Sequence, residues 1–293
     1  MAPLDISGDR PESDDVKWET GRRSTNVEDR RRGTGRRNVA IGGGGVLVVA
    51  LVMLLMGKDP GTILQSVLGA AEETQGTVQT SPAEDRLADM CSVVLADTED
   101  TWNAIFEQSG LDYVEPKLVI YSGQTDSGCG VAEASTGPFY CPEDQKVYID
   151  LSFYQELQDR FEAPGDFAQA YVIAHEIGHH VQYLLGTLDR VHAAMARSSE
   201  TAANQLSVRL ELQADFFAGV WAHYADQSRH LLDSGDLAEA LAAASAIGDD
   251  HIQRETRGSV VPETFTHGTS AQRLRYFTLG YDTGDPQAFD LRL

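Results

Sequence analysis

The sequence predicts an α+β domain, mostly helical with a small sheet, preceded by one transmembrane helix. Three observations lead there. Two short runs, 117–121 (K-L-V-I-Y) and 146–151 (K-V-Y-I-D-L), read as strands and come early in the globular part. The later apolar stretches have helical spacing, and strands followed by helices is the α+β pattern. Residues 38–57 carry no charge, and a helix of that length crosses a hydrocarbon core of roughly 30 Å.

Residues 1–37 are rich in Arg, Asp, Glu, Ser and Gly without apolar periodicity, so a disordered cytoplasmic segment is expected there. The apolar run that follows contains Gly42 to Gly45, which weakens helix propensity, although glycine is commoner in membrane helices than in soluble ones. Arg30, Arg31, Arg32, Arg36 and Arg37 precede the run, and Lys58 stands alone after it. The positive-inside rule then places the N-terminus in the cytoplasm and everything after residue 58 outside it, as a single-pass protein of a bacterial cell membrane. A cleavable signal peptide is the rival reading; its apolar and leading regions would both be unusually long, which favours an uncleaved anchor.

Residues 58–82 read as a linker, and the globular domain is expected over 83–293. Its first helix, 83–108, offers Leu87, Val94, Leu95, Trp102 and Phe106 for one buried face. Pro116 ends that pattern. Residues 122–138 are a Gly/Ser/Thr-rich loop, and the strand at 146–151 is placed at a sheet edge. Helical spacing then covers about 152–161, 166–185, 198–226, 236–247 and 270–279.

Net charge is −22 over 293 residues and unevenly spread. Residues 1–38 hold nine Lys/Arg against eight Asp/Glu, leaving fourteen against thirty-seven in the remainder. So acidic a domain repels phosphate backbones, which argues against nucleic-acid binding; the plainest reading of the acidity is solubility.

The chemistry-bearing stretch is F-A-Q-A-Y-V-I-A-H-E-I-G-H-H-V-Q-Y-L-L, residues 167–185. It holds H-E-x-x-H as His175, Glu176 and His179. Four residues advance a helix by about 6 Å and slightly more than one turn, so both imidazoles leave one face, as two zinc ligands must. Glu176, rotated by about 100°, can hold a water beside the metal without ligating and act as general base. Two helix histidines with ordinary hydrogen bonds are the bland alternative, but burying them beside a glutamate in an apolar run is costly unless something organises them.

A catalytic zinc takes three protein ligands and keeps one position open. The pattern H-E-x-x-H-x-x-G-x-x-H is excluded, because the later positions hold Gln182 and Leu185. Glu211 and Asp215 share a helix face inside the apolar run L-E-L-Q-A-D-F-F-A-G-V-W. Buried acids want a cation, so Glu211 is the expected third ligand of one Zn2+ per chain, and Asp215 the acceptor that fixes a ligand histidine's tautomer.

H-E-I-G-H-H-V-Q, E-L-Q-A-D-F-F-A-G-V-W, G-P-F-Y-C-P-E-D-Q-K-V-Y-I-D-L-S-F and H-G-T-S-A-Q-R resemble segments of the bacterial putative neutral zinc metallopeptidase family, a membrane-linked, gluzincin-type group. S-x-N-V-E-D-R-R at Ser24 to Arg31 matches as well, so the similarity runs from about residue 18 to 283. The resemblance implies a zincin-like fold with an active-site helix, a second ligand helix and an edge strand that holds extended substrate, for which residues 146–151 are the candidate. Cys129 and Cys141 lie in matching segments of the exported domain, where a disulfide is expected; Cys91 departs from the pattern and reads as a small core residue.

His267, in H-G-T-S, either donates to a tetrahedral oxyanion or caps the helix starting near Thr269. His180 points off the ligand face toward the core or a supporting role, Tyr171 reads as packing, and His192, His223, His230 and His251 as surface residues. The function expected is a membrane-anchored zinc endopeptidase acting on peptide or protein substrates, possession of an intact Glu176 favouring it over a non-catalytic, zinc-stabilised, membrane-tethered binding or scaffold module. A latent enzyme with a closed groove is a third reading, and oligomeric state is not legible.

Overall fold

The structure, a computed structural model, describes residues 17–31, 80–159, 165–229, 231–232 and 235–290. The expected transmembrane run at 38–57 and nearly all of the expected linker lie outside these residues. Among the described residues no helix is long and apolar enough to cross a membrane.

The chain forms a small sheet beside a larger helical layer. The strands are β1 (Val27–Asp29), β2 (Lys117–Tyr121), β3 (Gln124–Ser127), β4 (Gly130–Glu133), β5 (Phe139–Cys141) and β6 (Lys146–Asp150). The helices are α1 (Pro82–Gln108), α2 (Ser152–Asp159), α3 (Asp166–Leu184), α4 (Thr187–Met195), α5 (Glu200–Gln227), α6 (Asp236–Ala246), α7 (Asp249–Arg257) and α8 (Ser270–Thr283). Helix α1 starts where its residues dictate: Ser81 caps it, Glu84 closes the capping box and Pro82 takes the first turn. Helices α4 and α7 and the β3–β4 hairpin, inside the expected loop, are additions to the sequence reading.

The main sheet has the order β1-β2-β6-β5, with β1, β2 and β6 parallel and β5 antiparallel to β6. Strand β6 is therefore interior, and the expectation that 146–151 forms the edge is corrected: the edge strand is β5. Its residues explain the error. Val147 and Ile149 enter the helical core, while Tyr148 packs with Val119, Tyr121 and Ala132 beneath the hairpin, so both faces of β6 are covered. Cys141, the last residue of β5, is disulfide-bonded to Cys129 in the hairpin turn, as expected. Cys91 is a buried core residue whose thiol contacts the Tyr154 hydroxyl.

The other edge of the sheet overturns a second expectation. Residues 17–31 are folded into the domain, contrary to the disordered segment read over 1–37. Trp18 is buried and donates to Asp166 Oδ2 at 3.0 Å, in the first turn of α3. Strand β1 pairs Val27, Glu28 and Asp29 with Leu118, Val119 and Ile120. Glu99 of α1 is 1% exposed, and it receives Ser24 Oγ at 2.5 Å, Asn26 Nδ2 at 2.9 Å and Arg22 Nη2 at 3.0 Å. The polarity of this segment thus answers one buried carboxylate.

Helix α3 runs through the centre of the helical layer, against α1, α5 and α6. Close approach of α3 to α5 requires Gly178, where a Cβ would stand 2.9 Å from the Ala214 carbonyl oxygen. Helices α5 and α8 cross at a reciprocal pair: a Cβ on Gly219 would meet the Phe277 carbonyl oxygen at 2.0 Å, and one on Gly280 that of Phe216 at 2.0 Å.

Candidate metal centre

Helix α3 presents His175 and His179 to α5, and Glu211 reaches back between them. His175 Nε2 lies 3.2 Å from Glu211 Oε2, and His179 Nε2 lies 3.5 Å from Glu211 Oε1. One ligand atom from each residue falls within 4.8 Å of the other two. Burial opposes ionisation of Glu211, but the two imidazoles outweigh it and hold its pKa down at about 2. The carboxylate is ready for a cation.

The remaining ring nitrogens are already committed. His175 Nδ1 donates to Asp215 Oδ1 at 2.9 Å, as the sequence predicts. Asp215 is fully buried and takes two more partners, the Tyr171 hydroxyl at 2.5 Å and Arg273, which reaches its two oxygens through Nε at 2.8 Å and Nη2 at 2.9 Å. Burial would neutralise Asp215, and Arg273 with His175 instead holds it ionised, well below the usual carboxylate range. His179 Nδ1 donates to Gln182 Oε1 at 3.0 Å, and Gln182 Nε2 donates on to the Leu210 carbonyl oxygen at 2.7 Å. With Nδ1 of both histidines committed, both Nε2 atoms face Glu211. Two imidazoles of fixed tautomer and one carboxylate fit a zinc ion that retains an open position.

Gln182 and Arg273 are supports that sequence reasoning missed, and Tyr171 is more than packing. Gln182 occupies a position where another zinc-site pattern would differ, yet it lies one turn beyond its imidazole. Arg273 belongs to a stripe with Phe277 and Gly280 along the buried face of α8, and that spacing is the signal that could have found it. Replacing Gln182 with Met is expected to lower zinc affinity about 10- to 100-fold with the fold retained, measured by competition with a chromogenic chelator.

The centre opens into a cleft of about 560 Å³, lined by Phe139 and Tyr140 of β5 and by His175, Glu176, His179, Glu211 and His267. Among the described residues no strand covers the outer edge of β5. His267 enters from the loop before α8. Its Nδ1 lies 3.2 Å from Asp249 Oδ1, and Asp249 also accepts the backbone N–H groups of Thr266, His267 and Gly268. The cap of α8 is Thr269, whose hydroxyl accepts from Gln272 N, so the capping reading of His267 falls away.

His180 leaves the site for the core. Its Nε2 donates to the Val114 carbonyl oxygen at 2.6 Å and its Nδ1 meets the Tyr140 hydroxyl at 2.9 Å, while burial lowers its pKa to about 4 and keeps it neutral. His223, expected at the surface, is half-buried and donates to the Tyr281 carbonyl oxygen at 2.7 Å. His251 is also half-buried. His192 is exposed at the rim of the cleft, and His230 lies outside the described residues.

The family model of the putative neutral zinc metallopeptidases matches residues 16–291. The chain belongs to that family. The uncharacterized protein YpfJ of Escherichia coli K12 is 48% identical over 278 residues, covering 92% of this chain and 96% of that protein. The uncharacterized protein Mb2605 of Mycobacterium bovis is 41% identical over 253 residues, covering 81% and 84%. No solved structure matches. The metallopeptidase family match extends through Trp18 and β1, the segment that the fold has already joined to the domain.

Proposed function

We propose that this metallopeptidase is an endopeptidase in which His175, His179 and Glu211 hold one zinc ion and Glu176 is the general base. The observation that carries the reading is the convergence of three oriented donors in a cleft that also holds Glu176 and borders β5, whose outer edge pairs with no strand among the described residues. Zinc held there supplies a Lewis acid that lowers the pKa of water toward about 7 and polarises a carbonyl.

The chain supplies the remaining steps. An extended peptide adds to β5 through main-chain hydrogen bonds, which place its scissile carbonyl at the centre. Glu176 accepts the proton given up by the attacking water and passes it to the leaving nitrogen. His267 directs its Nδ1 at Asp249, so Nε2–H is the donor available to the carbonyl oxygen as it gains charge.

The purified full chain is expected to hold about one zinc per chain and to cleave members of a peptide library, with chelation abolishing cleavage and added zinc restoring it. Stoichiometric zinc should be lost in Glu211→Ala. A protein free of metal after chelator-free purification defeats the proposal.

Asp249 also sets an expected pH response. Its hydrogen bond raises the His267 pKa above the ordinary imidazole value, against a smaller opposing effect of burial. His267 therefore stays charged to higher pH than a free imidazole. Asp249→Asn removes that support and should move the alkaline limb of kcat/KM to lower pH. An unmoved limb would show that a charged His267 is not required.

A further inference from the structure

Strand β1 and the residues around it bear on how the chain meets a membrane. The positive-inside reading puts residues 1–37 on one side of a bilayer and the zinc centre on the other. Direct contacts join the two. Arg31 is buried; its Nη1 donates to the Glu84 carbonyl oxygen at 2.9 Å, and its Nη2 lies 3.2 Å from Asp85 Oδ1, both in the first turn of α1. Arg30 bonds Thr125 Oγ1 and the Asp126 carbonyl oxygen at 3.0 Å each. Glu28 pairs with Lys146 of β6 at 3.0 Å. A single crossing between Arg31 and Glu84 would instead separate them by a hydrocarbon core of roughly 30 Å.

We infer that residues 17–31 and the zinc-centre domain face the same compartment, so that the apolar run 38–57 does not divide them as a single span. The contacts at Arg31 and Glu84 fix both ends of the intervening chain to one place, whatever path residues 32–79 take. A return crossing lacks material: the longest uncharged stretch after Lys58 and Asp59 runs from Pro60 to Ala71, twelve residues, where a helical span needs about 20. An irregular return through lipid would leave backbone groups without partners. Exchange of β1 between two copies does not rescue the single span, since each copy would carry its own β1 on the wrong side. Cleavage after the apolar run would discard Trp18, β1 and the three partners of Glu99.

The charge asymmetry that suggested a span has another use. Arg30 and Arg31, two of the five arginines before the apolar run, are engaged in the fold, so they are not free to hold the chain on the cytoplasmic side.

The test is cysteine labelling of the full chain in spheroplasts of an expressing bacterium. Two single variants, Thr20→Cys and Leu111→Cys, place an exposed thiol on each side of the apolar run, and the native cysteines are buried or disulfide-bonded. A membrane-impermeant maleimide is applied before and after detergent. Both thiols are expected to behave alike, reacting to the same extent before detergent or both only after it. Labelling of one with protection of the other overturns the inference. The readout does not depend on zinc or on activity.

Discussion

Glu176→Gln is expected to abolish peptide cleavage while leaving zinc in place. Glu176 is not one of the three converging donors, so the amide leaves His175, His179 and Glu211 as they are. It cannot accept the proton of the attacking water. Loss of a positioned general base costs about 10²- to 10⁴-fold in rate, and kcat/KM should fall by that order with substrate binding little changed. Metal analysis and peptide turnover on the same preparation check both halves. Loss of zinc in the variant would mean that Glu176 supports the site rather than the reaction. Full restoration by Glu176→Gln of every defect in a deletion strain would instead favour a zinc-stabilised scaffold.

A chain lacking residues 1–31 is expected to fold poorly although it keeps His175, His179 and Glu211. The deletion strips Trp18 from the core and β1 from the sheet, and removes the hydrogen bonds of Ser24, Asn26 and Arg22 to Glu99. Loss of a buried Trp side chain alone costs about 3–5 kcal/mol, and the β1 pairing and the hydrogen bonds to Glu99 are lost besides. Against a total stability of about 5–15 kcal/mol, that is enough to unfold the domain or nearly so. The milder variant Trp18→Ala in the full chain should lower the urea midpoint by the Trp contribution alone. Thermal and urea unfolding of the three proteins measure this. Equal midpoints would show that the N-terminal segment is not part of the folded unit.

The His175–His179–Glu211 cluster was legible because helical periodicity and metal geometry state the same constraint. His175 and His179 sit one turn apart in an apolar run, and two carboxylates in a second apolar run need a cation. The edge strand was not legible, because F-Y-C is too short to show a period. The longer K-V-Y-I-D-L looked like an alternating edge, but the hairpin covers its other face. The N-terminal segment was misread through composition: S-x-N-V-E-D-R-R is polar because a buried Glu99 and the start of α1 need its donors, and those partners lie far along the chain. Arg273 was missed for the same reason, since a guanidinium normally marks surface and only the distant Asp215 makes it interior.

The glycines at the helix crossings have a consequence for tolerance to change. At Gly178 the main chain of α3 rests almost directly on that of α5, so a single methyl there would act as a shim between the imidazole-bearing rod and the carboxylate-bearing one. The gauge of the donor triangle is thus machined by backbone against backbone, with no side chain between to absorb an error.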